Sequence, residues 1–214
     1  MQGDKTQYHF QCVYAPYVSS LIAFCELKEG SSVLDVGCGQ GFFSYLFRKY
    51  GMTVHAIDTS ETRIRMAEHL YGHLGIAFTV GDIHTATFSE RFDCVFVRSC
   101  SLYNNDAFSL HDEVTSRLMR HLKANGVFIF AYNSNFSSKK SSTWRYHSLK
   151  DVRRHFSRYP NANIFFSSKI DTWLLRKYAF TAFATRLNIL LSRVSGLGGD
   201  LVCIFRNALV TSSQ

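Results

Sequence analysis

The chain has 214 residues, of which 46% are hydrophobic and 19% are charged, and its formal net charge is +8. This balance excludes an intrinsically disordered chain and suits one globular domain, because a single core commonly reaches this size. No apolar run approaches the roughly 20 residues that cross a bilayer, and the first ten residues lack the basic and apolar regions of a secretory signal. We therefore expect a cytoplasmic protein.

The predicted elements begin with residues 5–28, where apolar and aromatic side chains recur at helical spacing and are interrupted by Pro16. This segment is expected to form a helix or a bent pair of helices. The strands predicted after it are SSVLDVG, MTVHAID, IAFTVGD, RFDCVFVRS, GVFIFAYN, NANIFFSSKI and DLVCIFRNALV. The predicted helices are GFFSYLFRKYG, which ends at Gly51, SETRIRMAEHLYGHL and SLKDVRRHF, with cap candidates Ser60 and Ser148, DAFSLHDEVTSRLMRHLK, and residues 172–195.

Repeated alternation of strands and helices implies a parallel sheet with right-handed crossovers. The short glycine-rich turn GLGGD before the last strand allows that strand to lie antiparallel, at or near the sheet edge. The predicted fold is therefore α/β and doubly wound, with a mostly parallel seven-stranded sheet and helices on both faces. Helical cap elements are expected at the N-terminus and before the last strand, which is antiparallel.

The segment VLDVGCGQGFFS, from Val33 to Ser44, carries the main functional signal. A strand leads into three glycines and then a helix, so backbone N–H groups and a positive helix end face whatever binds there. Such a loop alone is weak evidence, because proteins that bind nicotinamide dinucleotides use a related loop on the same architecture.

Three acidic residues indicate which kind of ligand the glycine loop binds. Asp35 precedes the glycines, Asp58 ends the second strand, and Asp82 follows the third strand. In a doubly wound sheet all three lie at the carboxyl ends of strands, where ligands bind. An aspartate at a strand end is also a common helix cap or turn former. Three carboxylates around one crevice nevertheless suit a cationic ligand with ribose hydroxyls, such as S-adenosylmethionine, better than a pyrophosphate.

The stretch from Val33 to about Ala131 resembles the cofactor half of class I S-adenosylmethionine-dependent methyltransferases of the small-molecule type. Five motifs occur in the family's order, namely V-L-D-V-G-C-G-Q-G, A-I-D-T-S, V-G-D-I, F-D-C-V-F-V and L-K-A-N-G-V-F-I-F-A. The resemblance implies one domain over residues 1–214. Its parts would be an N-terminal helical lid (1–30), a cofactor-binding core (31–138) and a basic substrate-side region that completes the sheet (139–214).

The resemblance also implies roles for individual residues. The glycines would pack against the methionine part and the ribose, and Asp58 would bind the ribose hydroxyls. Asp82 would bind the exocyclic amine of the adenine and Ile83 its ring through the main chain, while Asp35 would order the loop or meet the ammonium group. The predicted cofactor-binding residues are Asp35, Gly37, Cys38, Gly39, Gly41, Asp58, Thr59, Asp82, Ile83, Arg98 and Ser99.

Arg98 departs from the family pattern, which often has a small polar residue at the end of the fourth strand. A cation close to a sulfonium is unfavourable, so Arg98 is expected to point at a carboxylate of the cofactor or of the acceptor.

Methyl transfer, with S-adenosylhomocysteine as product, always needs alignment of the two reactants. It needs a general base only where the acceptor atom still holds its proton. The candidate catalytic residues are Tyr103, His9 and Tyr14, each of which could equally serve packing.

The positive charge is concentrated at the C-terminal end. Residues 1–138 contain 11 Lys/Arg and 13 Asp/Glu, whereas residues 139–214 contain 13 and 3, a net charge of +10. This asymmetry favours an anionic partner, whether a phosphorylated substrate, a membrane surface or nucleic acid, although a solvated basic face is an equal alternative. The predicted helix 172–195 is interpreted as a substrate lid, with a membrane-surface helix or a core-facing helix as alternatives.

The six cysteines contain no C-x-x-C pair and are interpreted as reduced, mostly buried thiols. His69 and His73 are spaced i and i+4, but no third ligand is evident, so no metal is expected.

The leading hypothesis for the function is methyl transfer to an oxygen or nitrogen of a small molecule or glycan. An RNA methyltransferase and a non-catalytic S-adenosylmethionine-binding protein remain as alternatives.

Overall fold

A computed structural model describes residues 2–105, 108–136, 140–168, 178–195 and 198–207 of the chain. Its strands are β1 (Ser32–Val36), β2 (Thr53–Asp58), β3 (Ala77–Val80), β4 (Phe92–Arg98), β5 (Leu122–Asn133), β6 (Asn163–Ser167) and β7 (Asp200–Arg206). Its α-helices are α1 (Gln2–Cys25), α2 (Phe42–Lys49), α3 (Glu61–Tyr71), α4 (Phe108–Met119), α5 (Leu149–Phe156) and α6 (Ala182–Ser195). The described residues also include the 3₁₀ turns Gly72–Leu74 and Ser101–Tyr103.

The seven strands form one sheet in the order β3-β2-β1-β4-β5-β7-β6. The pairs β1–β2, β2–β3, β1–β4 and β4–β5 are parallel, whereas β7 is antiparallel to both β5 and β6. The predicted doubly wound sheet with an antiparallel last strand is therefore confirmed. The chain crosses from β3 to β4 beside β1, so the strand order reverses between β1 and β4, where such sheets bind their ligands.

The helices agree with the sequence prediction in part. α1 is one continuous helix through Pro16, which is one of the two forms expected for this segment. Ser60 precedes α3 but makes no side-chain capping bond, whereas Ser148 forms a complete capping box with Asp151. α6 begins at Ala182, and residues 172–177 of the predicted helix lie outside the described residues.

The hydrophobic core has two layers, one on each face of the sheet. α1, α2 and α3 pack on one face, and α4 and α5 pack on the other. Every residue of β1 is buried, as expected for a central parallel strand. Of the six free cysteines, four are buried. Within the described ranges no helix is both long and apolar enough to cross a membrane.

His147 is a buried polar residue that links the loop after β5 to the end of β4. Its Nδ1 accepts a hydrogen bond from Arg145 Nε at 3.2 Å, and its Nε2 lies 3.0 Å from the carbonyl oxygen of Tyr103. Since Nδ1 accepts, the neutral ring donates from Nε2 to this carbonyl. Burial lowers the pKa of His147 to about 4. The folded protein therefore holds this ring neutral.

This neutral histidine predicts a loss of stability in mild acid. Below its ordinary pKa of 6.5 the unfolded chain binds a proton that the folded chain refuses down to about pH 4, so stability falls as pH falls through that window. The His147→Gln variant should lose about 1–2 kcal/mol less than the wild type between pH 7.5 and pH 5. Urea unfolding at both pH values measures this difference. An unchanged pH dependence in the variant would contradict the assignment.

Candidate functional site

A cavity of about 330 Å³ opens at the carboxyl edge of the sheet, where the strand order reverses. Its walls come from the segments that follow β1, β2, β3 and β4, together with Trp144 from the loop after β5. The volume lies within the range of sites for small molecules and cofactors. Six predicted residues line it, namely Gly37, Asp58, Thr59, Asp82, Ile83 and Ser99.

Of the glycine loop after β1, Gly37 lines the cavity, whereas Gly39 and Gly41 are not among the lining residues. Gly37 has φ +71°, and a Cβ on it would lie 2.6 Å from Cys100 Sγ, so only glycine fits there. Gly39 has φ +56°, and a Cβ on it would meet no protein atom within 4 Å. The space beside Gly39 is therefore open to a ligand. Gly41 differs, because its Cβ would lie 2.8 Å from the ring of Phe78 and so it serves close packing.

The Asp58 carboxylate joins the glycine loop to the segment after β2. Its Oδ2 accepts the N–H of Gly39 and its Oδ1 accepts the N–H of Ser60, both at 2.9 Å. A carboxylate offers about four lone-pair sites, so these two bonds leave acceptor capacity on a group that lines the cavity. Asp58 can therefore hold the loop and also accept hydroxyl donors from a ligand.

Asp35 lies beneath the loop, and it is not among the residues that line the cavity. Its Oδ2 accepts the hydroxyl of Ser44 in α2 at 2.6 Å, and its side chain is buried. Burial raises the pKa of Asp35 to about 7, although the Ser44 hydrogen bond opposes this shift. The bond fixes α2 to the end of β1, which fits the role of ordering the loop among the two expected for Asp35.

Asp82 and Ile83 form the opposite wall. Asp82 Oδ1 accepts the N–H of His84 at 2.9 Å, and its carbonyl oxygen accepts the N–H groups of Thr85 and Ala86. Asp82 thus acts as a turn former and still faces the cavity, where its side chain is exposed. Ile83 is 7% exposed and gives the same wall an apolar surface. A planar ring could lie against this surface with a polar edge toward Asp82.

Arg98 pairs with a carboxylate of the chain itself, which corrects the expectation of a carboxylate on the cofactor or acceptor. Its Nε donates to Asp200 Oδ2 at 2.9 Å, and the guanidinium lies over the rings of Tyr14 and Phe43 at 5.1 and 4.7 Å. Burial opposes the charged form, but Asp200, with Tyr14 and Tyr17, raises the pKa of Arg98 above its ordinary value. The positive charge is therefore retained and balanced from β7.

The structure places the candidate catalytic residues in different surroundings. Tyr103 is 1% exposed, and its hydroxyl lies 2.8 Å from Thr115 Oγ1 within the core. Burial raises the pKa of Tyr103, and the residue is not among those that line the cavity, so its position gives the catalytic role no support. Tyr14 is 8% exposed and packs beside Arg98, near the end of β4. The side chain of His9 lies outside the described residues.

Cys38 also belongs to the glycine loop. It is half-buried, its Sγ lies 3.8 Å from the carbonyl oxygen of Gly39, and burial raises the pKa of its thiol. A neutral thiol suits a structural position better than a nucleophilic one. In the part of the chain that the structure describes, no group of three metal-ligating side chains occurs.

Sequence reasoning missed several residues that line the cavity. Arg63 lies on α3, Ser101 and Leu102 lie in the 3₁₀ turn after β4, and Trp144 lies in the loop between β5 and α5. The signal that could have identified Trp144 is a single large aromatic residue in an otherwise polar segment. Ser99 adopts φ +46°, an uncommon conformation for a residue other than glycine and one that clusters at functional sites.

The family model described as "Methyltransferase domain" matches residues 27–178. This is more than half of the chain, so the chain belongs to this family, which the fold and glycine loop define further as class I S-adenosylmethionine-dependent methyltransferases. S-adenosylmethionine is the cofactor of the family. A phosphoethanolamine N-methyltransferase of Plasmodium falciparum is 37% identical over 86 residues, which cover 39% of this chain and 32% of that protein. The chain thus matches about a third of that relative's length.

Two solved structures share the fold. A methyltransferase from Clostridium acetobutylicum superposes with a TM-score of 0.64 at 13% identity, covering 97% of this chain and all of that chain. The phosphoethanolamine N-methyltransferase 2 of Haemonchus contortus, solved with S-adenosyl-L-methionine, gives a TM-score of 0.63 at 15% identity, covering 96% of this chain and 57% of that chain. At such identities the similarity establishes the architecture, while the residues must be judged from their own positions.

Asp58→Ala should weaken S-adenosylmethionine binding about tenfold or more, since hydrogen bonds to a charged group contribute roughly 1.5–3 kcal/mol. Titration calorimetry measures the affinity. Glu61→Ala is the matched control, because Glu61 is an exposed carboxylate in the first turn of α3 and pairs only with Arg65 among the described ion pairs. Unchanged affinity in a folded Asp58→Ala protein would contradict the site.

Asp200→Asn should leave the charge of Arg98 unbalanced and lower the free energy of unfolding by about 3 kcal/mol, as expected when one partner of a buried ion pair is removed. Affinity for S-adenosylmethionine should fall more than affinity for S-adenosylhomocysteine, because only the former carries a sulfonium.

The double variant Arg98→Met/Asp200→Asn removes both charges and should restore the ratio of the two affinities. Comparing the dissociation constants of the two ligands for the wild type, the single variant and the double variant measures this. Equal losses for both ligands in the single variant would show that Arg98 lies too far from the sulfonium to affect it.

Proposed function

We propose that the chain transfers a methyl group from S-adenosylmethionine to an oxygen or nitrogen atom of a small-molecule or glycan acceptor, and that this acceptor is anionic. The observation that carries the proposal is the Asp58 carboxylate, which holds the Gly39 N–H beside a position where the glycine loop leaves open space. A ligand seated there meets backbone and carboxylate together. This combination suits a ribose next to a cationic group.

The residues of the cavity divide the cofactor into parts. Asp58 and Thr59 would take the ribose, while Asp82 and Ile83 would take the adenine, and the backbone of Gly37 to Gly39 would admit the methionine part. Ser99 and Trp144 would close the remaining walls. When bound, the cofactor supplies a methyl group that its sulfonium has already activated.

The chain's own contribution would be alignment and exclusion of water. Holding two reactants close together and correctly oriented can lower the activation free energy by roughly 7–11 kcal/mol. We do not assign Tyr103 as the base, because its buried hydroxyl lies against Thr115. We therefore favour an acceptor atom that has no proton to lose before it attacks the methyl group. For an acceptor that still holds its proton, the base would come from the segment around His9. α1 would border the acceptor side, since Tyr14 lies beside the charged pair at the end of β4.

Two observations support an anionic acceptor. Residues 139–214, which include the cavity residue Trp144, have a net charge of +10. Relatives from Plasmodium falciparum and Haemonchus contortus are named for phosphoethanolamine, an amine that carries a phosphate. A phosphorylated amine would be attracted by the basic region and would offer a nitrogen lone pair once deprotonated.

The experiment is a transfer assay with S-adenosylmethionine labelled in its methyl group. The acceptors are phosphoethanolamine, a phosphorylated sugar, a lipid-linked glycan, an uncharged amine and RNA. We expect label in a phosphorylated small molecule, with loss of transfer in Asp58→Ala and full transfer in Glu61→Ala. Label in RNA alone would favour an RNA methyltransferase. Cofactor binding without transfer to any acceptor would indicate a non-catalytic binding protein.

A further inference from the structure

Helix α6 turns most of its large apolar side chains to solvent and buries small or polar ones, with Ile189 packing partly against the core. The residues that it buries are Ala184, Thr185, Asn188 and Ser192. The exposed large apolar residues on the same helix are Phe183, Leu187, Leu190, Leu191 and Val194, with exposed fractions from 37% to 84%. This is the reverse of an ordinary surface helix, whose apolar face packs on the core.

The edge of the sheet explains why the polar side faces inward. Among the strands that the structure describes, β6 is outermost and pairs with β7 alone. The N–H of Phe166 donates to Thr185 Oγ1 at 3.3 Å, and Asn188 Nδ2 donates to the carbonyl oxygen of Phe166 at 3.3 Å. α6 therefore supplies hydrogen-bond partners to an edge strand that would otherwise leave backbone groups unpaired.

The apolar side is therefore turned away from the sheet edge. Phe183, Leu187, Leu190, Leu191 and Val194 recur at the spacing of one helical face, and we call them the outer face of α6. At 100° per residue, Arg186 and Arg193 both fall along one border of this face. The sequence of α6 contains no aspartate or glutamate. A contiguous apolar surface of this kind marks an interaction site.

We propose that the outer face of α6 docks on an anionic lipid membrane surface. A helix that lies in the plane of a membrane buries an aliphatic face and keeps basic residues at its border. The charge of the chain supports this choice, because residues 139–214, to which α6 belongs, have a net charge of +10 along the sequence, and α6 itself carries two arginines and no acidic residue. A second copy of the chain fits less well, since pairing two outer faces would bring basic regions of the same sign together.

The position of α6 leaves the cofactor cavity free in this arrangement. None of its residues lines that cavity, so the earlier expectation of a substrate lid finds no support in α6. Docking through the outer face would hold the domain at a membrane by its β6 edge. It would add an attachment site to the protein without changing the chemistry of the cavity.

The test is sedimentation of the full chain with vesicles of phosphatidylcholine alone and with vesicles containing about one-third phosphatidylserine. We expect binding to the anionic vesicles, and weaker binding when salt is raised. Phe183→Ser/Leu190→Ser removes apolar area from the outer face, and Arg186→Gln/Arg193→Gln removes its border charges. Each double variant should bind anionic vesicles about tenfold more weakly or worse.

Met66→Ser is the matched control, because Met66 is an exposed apolar residue on α3 and should not change vesicle binding. Thermal unfolding of each variant checks that the fold is kept, since all the altered side chains are exposed. The proposal is overturned if the wild type stays in the supernatant, or if Phe183→Ser/Leu190→Ser binds as the wild type does. It is equally overturned if light scattering reveals a dimer that this variant dissociates and vesicles bind neither form.

Discussion

The Asp58 carboxylate is the contact on which the geometry of the site depends. It accepts the N–H of Gly39 from one side and the N–H of Ser60 from the other, and so ties the glycine loop after β1 to the start of α3. Beneath it, the buried carboxyl group of Asp35 accepts the Ser44 hydroxyl and holds α2 against β1. Two acids at the ends of strands thus fix the loop from above and below. The backbone that these bonds hold leaves open space beside Gly39.

Charge near the end of β4 is controlled by a second contact. Arg98 is enclosed by the rings of Tyr14 and Phe43 and retains its charge because Asp200 accepts a hydrogen bond from Nε. Asp200 is the first residue of β7, which runs antiparallel to β5, so the direction of this strand brings the carboxylate to the ligand-binding edge. The antiparallel strand therefore has an electrostatic consequence as well as a topological one. It balances the positive charge that Arg98 keeps at the end of β4.

The unpaired edge of β6 determines which side chains of α6 are buried. Thr185 and Asn188 are buried because the backbone of Phe166 needs a donor and an acceptor there. Once those positions are polar, helical periodicity turns the aliphatic residues of α6 outward. The inward-facing polar residues and the exposed apolar face are consequences of one requirement, the satisfaction of an edge strand.

The spacing of hydrophobic residues and the glycines between segments determined the seven strands, their alternation with helices and the place of the glycine loop. These features follow from residues that are close together in the sequence. The three acids at strand ends were also predictable, since parallel strands bring their carboxyl ends to one edge. Only the tertiary structure decided that Arg98 meets Asp200, 102 residues away, that Tyr103 is buried against Thr115, and that Trp144 reaches the cavity. It also decided which side of α6 faces solvent, because the hydrogen-bonding needs of β6 outweigh the ordinary rule that apolar residues face inward. Local patterns record the preferences of each segment, whereas pairs distant in sequence and demands at a sheet edge arise only when the chain is packed.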